Sequence, residues 1–298
     1  MISRRNILKA MGVASLAAAF GVQHNNRASA QATTTLGSMF VTQRGPVTLH
    51  TYIAPDSSAQ VNAHVIETAN RLVVVDTQWL QTYATDFRAY VDSIGKPIER
   101  VILSHEHPDH WAGGNQFADV PFVTTPTIAE TAEANADFYF QTITGLFGES
   151  EVPETPNVPE GNLTDEREEI DGVTFEYRID NDAEAVEHLS IHLPQANTWI
   201  VQDLIYNNTH FFPGMNRVNW IATLESLAAE VSQEDLLLVG HGLPTSKGEI
   251  DSAVAYLRLA EALVADASDS EAIISALQSA YPSHGGPELL GFWPLFVQ

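Results

Sequence analysis

The sequence predicts an α/β domain. Two observations carry that prediction. Short, nearly all-apolar runs rich in β-branched residues, such as residues 71–76 (Arg-Leu-Val-Val-Val-Asp) and 100–104 (Arg-Val-Ile-Leu-Ser), are separated by a stretch of helical periodicity, and the same alternation returns in the second half of the chain. The 298 residues are also 44% hydrophobic and carry no long polar low-complexity tract, so the chain can bury a sizeable core.

Residues 1–30 read differently from the rest. They open on Ser3-Arg4-Arg5-Asn6-Ile7-Leu8-Lys9, continue through an apolar stretch from Met11 to Val22 and end in Ala28-Ser29-Ala30. A basic start, an apolar stretch too short to anchor in a bilayer and a small-x-small end are expected of a secretory signal. The paired arginines resemble those of a twin-arginine export signal. The expectation is cleavage near Ala30, passage through the twin-arginine export machinery, and a mature domain of residues 31–298 that is periplasmic or secreted. Arg4, Arg5, Lys9 and Arg27 leave with the signal and no acid does, so the net charge moves from −24 to −28. Such acidity argues against nucleic-acid binding and against an anionic membrane surface, both of which need clustered Lys and Arg. No later segment is long and apolar enough for a membrane span. The absence of cysteine excludes disulfides, a Cys nucleophile, iron–sulfur clusters and thiolate metal ligands.

Along the mature chain, residues 49–53, 62–67 and 71–76 read as strands, the last buried on both faces. Residues 80–93 place Leu80, Tyr83, Phe87, Tyr90 and Val91 at helical spacing, and Gly95 and Pro97 stop the helix. Residues 100–104 form the next buried strand, which runs into a histidine-rich segment at its carboxyl end, where ligand sites of α/β sheets lie. Helices are expected over 127–146, 217–231, 247–265 and 270–280, and strands over 173–180, 185–193, 198–203 and 236–239. The proline-containing stretch 148–163 reads as a surface loop. The tail carries Leu289, Leu290, Phe292, Trp293 and Phe296, expected to pack on the core.

The chemistry concentrates in Ser104-His105-Glu106-His107-Pro108-Asp109-His110. In an extended turn, His105 and His107 point to one side, while Asp109 and His110 turn toward a second point, with a helix beginning at Trp111. Imidazole and carboxylate are donors that zinc, iron and manganese accept. Asp76, at the end of its strand, is expected to fix a ligand or a loop by hydrogen bonding. His50, His64 and His192 read as packed strand histidines. Asn207, Asn208 and His210 follow Asp203 closely enough to contact a substrate, with His210 as a leaving-group acid. Arg217 suits either a salt bridge or an anionic substrate group.

His105-x-His107-x-Asp109-His110 resembles the signature motif of the metallo-β-lactamase-fold hydrolases. Val73-Val74-Val75-Asp76-Thr77 is similar to that family's early strand ending in Asp. Leu237-Leu238-Val239-Gly240-His241-Gly242 resembles its late strand ending in a metal-binding His, and Asp203 stands where the family places a bridging carboxylate. The resemblance spans about residues 36–265. It implies an αββα sandwich with a site at one edge. One ion would be held by His105, His107 and a third ligand, and a second by Asp109, His110 and His241, with Asp203 bridging both. Two zinc ions are the implied cofactor, with manganese or iron as substitutes. The implied activity is hydrolysis by a metal-bound hydroxide, with Asp109 orienting the nucleophile.

The third ligand departs from the common pattern, which has a Gly-His pair upstream of the bridging Asp. Here the matching position is Glu184, nineteen residues before Asp203, and Glu at that spacing is similar to the alkylsulfatase branch. His188 is the competing ligand. The implied substrates are small molecules: esters, lactones or sulfate esters, with β-lactams as the alternative. A non-catalytic periplasmic metal-binding module and a mononuclear iron dioxygenase are the readings of other classes. Oligomeric state is left open.

Overall fold

The computed structural model describes residues 35–266 and 269–295. Residues 1–30, expected to be a twin-arginine signal, and Phe296 in the tail lie outside the described residues. Two sheets form an α/β domain of the expected class. The first runs β1 (Ser38–Arg44), β2 (Val47–Ile53), β3 (Asn62–Glu67), β4 (Leu72–Val75), β5 (Ile98–Ile102), β6 (Phe122–Thr124) and β7 (Glu160–Gly161), in that spatial order. β1 to β4 pair antiparallel and β4 to β7 parallel. The second sheet holds β8 (Arg167–Ile170), β9 (Val173–Asn181), β10 (Glu187–Leu193), β11 (Thr198–Tyr206), β12 (Leu236–His241) and β13 (Thr245–Ser246). Its pairs are antiparallel except β11 with β12.

Helices cover the outer faces. In α1 (Gln81–Ile94), Ala84, Phe87 and Val91 form the buried stripe, with Phe87 against Tyr52 of β2. Gly95, at φ +79°, closes the helix in the left-handed conformation. α3 (Pro126–Phe147) starts at Thr125, whose hydroxyl accepts from Ile128 N, and has Pro126 in its first turn. In α4 (Arg217–Glu230), capped by Asn216, Trp220 packs on the second sheet and its indole N–H donates to Leu204 O. α5 (Gly248–Asp266) contacts β11, and α6 (Ser270–Ala280) contacts α5. The sheets meet where β3 faces β11 and β12. There the Asn62 amide donates to Val239 O and Gly242 O at 2.7 Å each.

Several elements were invisible in the sequence or differ in extent. β1 is half-exposed, so its pattern lacks a continuous apolar run. β6, β7, β8 and β13 are only two to four residues long. β11 continues to Tyr206 rather than stopping at Asp203, and β10 begins at Glu187 rather than 185. The segment after His107 is not an extended turn. Pro108 starts a short helix, α2 (Pro108–Trp111), so Asp109 and His110 project from a helical turn. In the tail, Leu290 and Trp293 are buried in the core.

Candidate metal centre

The site lies where the carboxyl ends of β5, β11 and β12 converge with the β9–β10 hairpin. His105 follows β5 by three residues. Its Nδ1 is 2.9 Å from Ser104 Oγ, which leaves Nε2 for the site. His107, in extended conformation, is the residue before α2. Glu184 sits at the tip of the hairpin, held by backbone bonds from Asp182 N to Val186 O and from Met215 N to Glu184 O. Asp203 projects from β11, and His241 ends β12.

Two groups of side chains have donor atoms close enough to hold a metal ion, and they share Asp203. The first comprises His105, His107, Glu184 and Asp203. His107 Nδ1 is 3.0 Å from Glu184 Oε1, and His105 Nε2 is 3.6 Å from Glu184 Oε2 and 3.9 Å from Asp203 Oδ2. The second comprises Asp109, His110, Asp203 and His241. His110 Nε2 is 3.1 Å from Asp203 Oδ1 and 3.4 Å from Asp109 Oδ2, and His241 Nε2 lies 3.3 Å from Asp109 Oδ2 and 3.2 Å from Asp203 Oδ2. His105 Nε2, His110 Nε2 and Asp203 Oδ1 are buried without a hydrogen-bond partner. Buried polar atoms are ordinarily satisfied. Ligand atoms that converge in this way, several of them left without a hydrogen-bond partner, fit a shared cation.

The electrostatics agree. Burial alone would raise the Asp109 carboxyl, but the charges and hydrogen bonds of His110 and His241 hold it well below the usual carboxylate range. Burial works to lower His107 and His241, yet the adjoining carboxylates raise them to about 9 and about 10. Protons on these rings do in part what a bound cation would do.

A ring of supporting residues orients the donors. Asp76, at φ +62° just past β4, accepts from Ser104 N at 2.9 Å, Ser104 Oγ at 2.7 Å and His110 Nδ1 at 2.8 Å, so His110 presents Nε2. Gln202 adds its amide to the same carboxylate and takes a hydrogen bond from His64 Nε2 at 2.7 Å. His241 Nδ1 is tied to Ala59 O at 2.7 Å. Tyr206 stacks on the His241 ring at 4.5 Å, and its hydroxyl donates to Asp203. Gly240 leaves the space that Asp203 fills: a Cβ there would lie 1.7 Å from Asp203 Oδ1.

A cavity of about 230 Å³ opens directly above the cluster. His107, Asp109, Asp203 and Tyr206 form its floor, and the walls come from Trp79, from α3 and from the segments carrying Phe212, Met215, Leu289 and Phe292.

Glu184 thus joins His105 and His107, and His188 does not. The His188 ring stacks behind His105 at 5.1 Å, fully buried, with neither nitrogen bonded. His210 is also displaced from the site. Thr209 bridges to Gly285, which turns His210 toward Tyr256, 3.2 Å from its hydroxyl, and it does not line the cavity. The exposed Asn207 and Asn208 side chains bond Leu243 O and each other. Arg217 pairs with Glu261 and lies over Trp293. His50 bonds Glu67 and Tyr90, and His192 stacks on Trp199, as packed strand histidines do. Tyr206, Gln202 and Gly240 were not singled out in the sequence. Only Tyr206 had a local signal, since Leu204-Ile205-Tyr206 extends the apolar run of β11.

The metallo-beta-lactamase from Pontibacter korlensis superposes on the chain with a TM-score of 0.59 and 18% identity, over 74% of this chain and 99% of that one. The inverting sec-alkylsulfatase Pisa1 from Pseudomonas sp. gives 0.52 and 20%, over 72% of this chain but only 40% of its own. A metallo-beta-lactamase from Hirschia baltica gives 0.54 and 17%, over 73% and 96%. No curated protein matches the sequence. Residues 58–242 match the metallo-beta-lactamase superfamily, and the chain belongs to that superfamily.

Proposed function

We propose that the protein is an exported, metal-dependent hydrolase of esters, lactones or sulfate esters, with a two-ion site that takes zinc. The observation that carries this reading is Asp203 shared between two groups of buried donors at the floor of a cavity. His105, His107 and Glu184 would hold one ion, Asp109, His110 and His241 the other, and Asp203 both. A His₂-carboxylate set is a good zinc site, and the additional carboxylates also suit manganese or iron. Metal bound there supplies Lewis acidity and lowers the pKa of water toward neutrality.

The chain's own residues do the rest. Asp109 faces the cavity beside His110 and His241, which places its carboxylate to orient a water by accepting its hydrogen bond. Asp76 and Ala59 O fix which nitrogen His110 and His241 present. The apolar walls exclude bulk water and strengthen every polar interaction at the floor. A metal-binding module without catalysis would have no use for a cavity ending on the metal donors.

Export is supported by the basic, apolar and small-x-small pattern of residues 1–30. The twin-arginine machinery, which passes folded cargo, would let the metal enter before transport. The periplasm is then the site of action.

The test is hydrolysis of a small activated ester by protein purified without chelator, before and after metal removal. Activity should vanish with the metal and return with zinc, and Asp109→Asn should lose at least about a hundredfold in kcat. Full activity of the metal-free protein would overturn the reading.

A further inference from the structure

The cavity above the metal donors carries a second message, in what its walls lack. Among the described residues that line it there is no Lys or Arg. Arg217, the nearest candidate by sequence, is committed to Glu261 and Pro213 O. The wall hydroxyls are nearly all committed too. Thr142 Oγ1 donates to Phe138 O at 2.8 Å, and Tyr206 donates to Asp203. Among the described residues of the wall, Tyr139 alone carries a hydroxyl that bonds none of the others. One donor suits a neutral oxygen. A carboxylate buried among these walls, away from the metal ligands, needs a counter-charge or several donors, and lacking them is strongly disfavoured. The protein's formal charge of −24 adds long-range repulsion of anions. The apolar residues, chiefly Trp79, Phe138, Ile143, Phe212, Leu289 and Phe292, instead offer a slot for hydrocarbon. At ~30 Å³ per water-sized group, the cavity of about 230 Å³ holds roughly eight non-hydrogen atoms.

We propose that this cavity selects a neutral carboxylic ester or lactone bearing an apolar chain of about eight non-hydrogen atoms, and rejects substrates that are anionic at the chain end. The proposal rests on the hydrolytic reading above and narrows it. Chains that end in a carboxylate fall on the rejected side.

The test uses the metal-loaded protein and a matched series followed by acid release in a pH-stat. Ethyl butanoate, hexanoate and octanoate vary the chain. Monoethyl suberate replaces the terminal methyl of the octanoate ester by a carboxylate. A buried methylene is worth roughly a threefold to fourfold change, so kcat/KM should climb by about that factor per carbon up to the octanoyl chain. Ethyl octanoate should exceed monoethyl suberate by at least about a hundredfold. Met215→Lys, at the exposed rim of the cavity, should narrow the octanoate-to-suberate ratio by about tenfold or more. Calorimetry with octanamide and suberic acid monoamide should show the same preference in binding, independent of turnover. p-Nitrophenyl acetate, too small to need the cavity, reads the hydrolytic machinery alone. If it is hydrolysed while the chain-length series is flat, or while monoethyl suberate matches ethyl octanoate, the cavity inference is overturned and the hydrolase stands. If no ester is hydrolysed, both are overturned.

Discussion

Gly240→Ala is the substitution whose effect follows most directly from the geometry. Gly240 lies in β12 outside the left-handed region, so alanine is accepted by the backbone there. The difficulty is space. The new Cβ would sit 1.7 Å from Asp203 Oδ1, and ordinary contact begins near 3.4 Å. Something must therefore move by about 1.7 Å, the difference between those distances. The same Cβ would lie 2.9 Å from Asp203 N, so the backbone need shift by only a few tenths of an ångström and the carboxylate is what gives way furthest. Metal–ligand distances tolerate only about 0.2 Å, and a displacement of about 1 Å at a reacting centre costs on the order of a hundredfold in rate. Because Asp203 belongs to both donor groups, one methyl should disturb both ions at once. Overpacking of this kind costs about 1–3 kcal/mol, which a domain of this size survives with a Tm lowered by several degrees. The assay is metal content by mass spectrometry beside kcat/KM for a neutral ester, with circular dichroism to verify the fold. The expected result is a folded variant with less than the parent's metal and at least about a hundredfold less activity. Metal content and kcat/KM within about threefold of the parent would refute the argument that Gly240 makes room for a shared ligand.

Other outcomes follow from the same structure. Glu184→Gln should lower metal content by about one ion per chain, while His188→Gln, altering a ring stacked behind His105, should retain the parent's content; the opposite pattern would make His188 the ligand. Gln202 stands at φ +39° inside β11, so Gln202→Ala should unfold more easily than Gln202→Gly by about 1 kcal/mol in urea, although both lose the bonds to Asp76 and His64. Fully buried His64 is pushed down to about 4 by burial from an ordinary 6.5. Below pH 6.5 the unfolded chain therefore binds the proton that the folded one refuses. Stability from this group is complete above that pH and falls by about 3 kcal/mol as pH drops through 4. His64→Gln should flatten the pH dependence of urea unfolding over that window, and an unchanged slope would contradict it.

What the sequence shows and what it hides divides along a physical line. His105, His107, Asp109 and His110 were legible because their spacing is local: a strand end followed by a helical turn fixes four donors within six residues. Asp203 and His241 were legible as polar residues closing apolar strands. Glu184 was found by its distance from Asp203 and not by any signal of its own, since its hairpin tip is held by contacts distant in sequence, with the segment at Met215 and with Glu106. Ser104, Gln202 and Gly240 act across the gap between strands or sheets, and no single-strand pattern records that. His210 misled because proximity to Asp203 in sequence does not survive the turn at Thr209, which carries the chain toward α5. The cavity was least legible of all. It joins α3, the segment after β11 and the tail, about 150 residues apart along the chain from Phe138 to Phe292.

The central claim is that two donor sets share one carboxylate. The measurement that tests it most directly is the metal content of the protein purified without chelator. The account predicts about two ions per chain, zinc foremost, and half that or less in an Asp203→Ala variant. A single ion in the parent, or none, would contradict it.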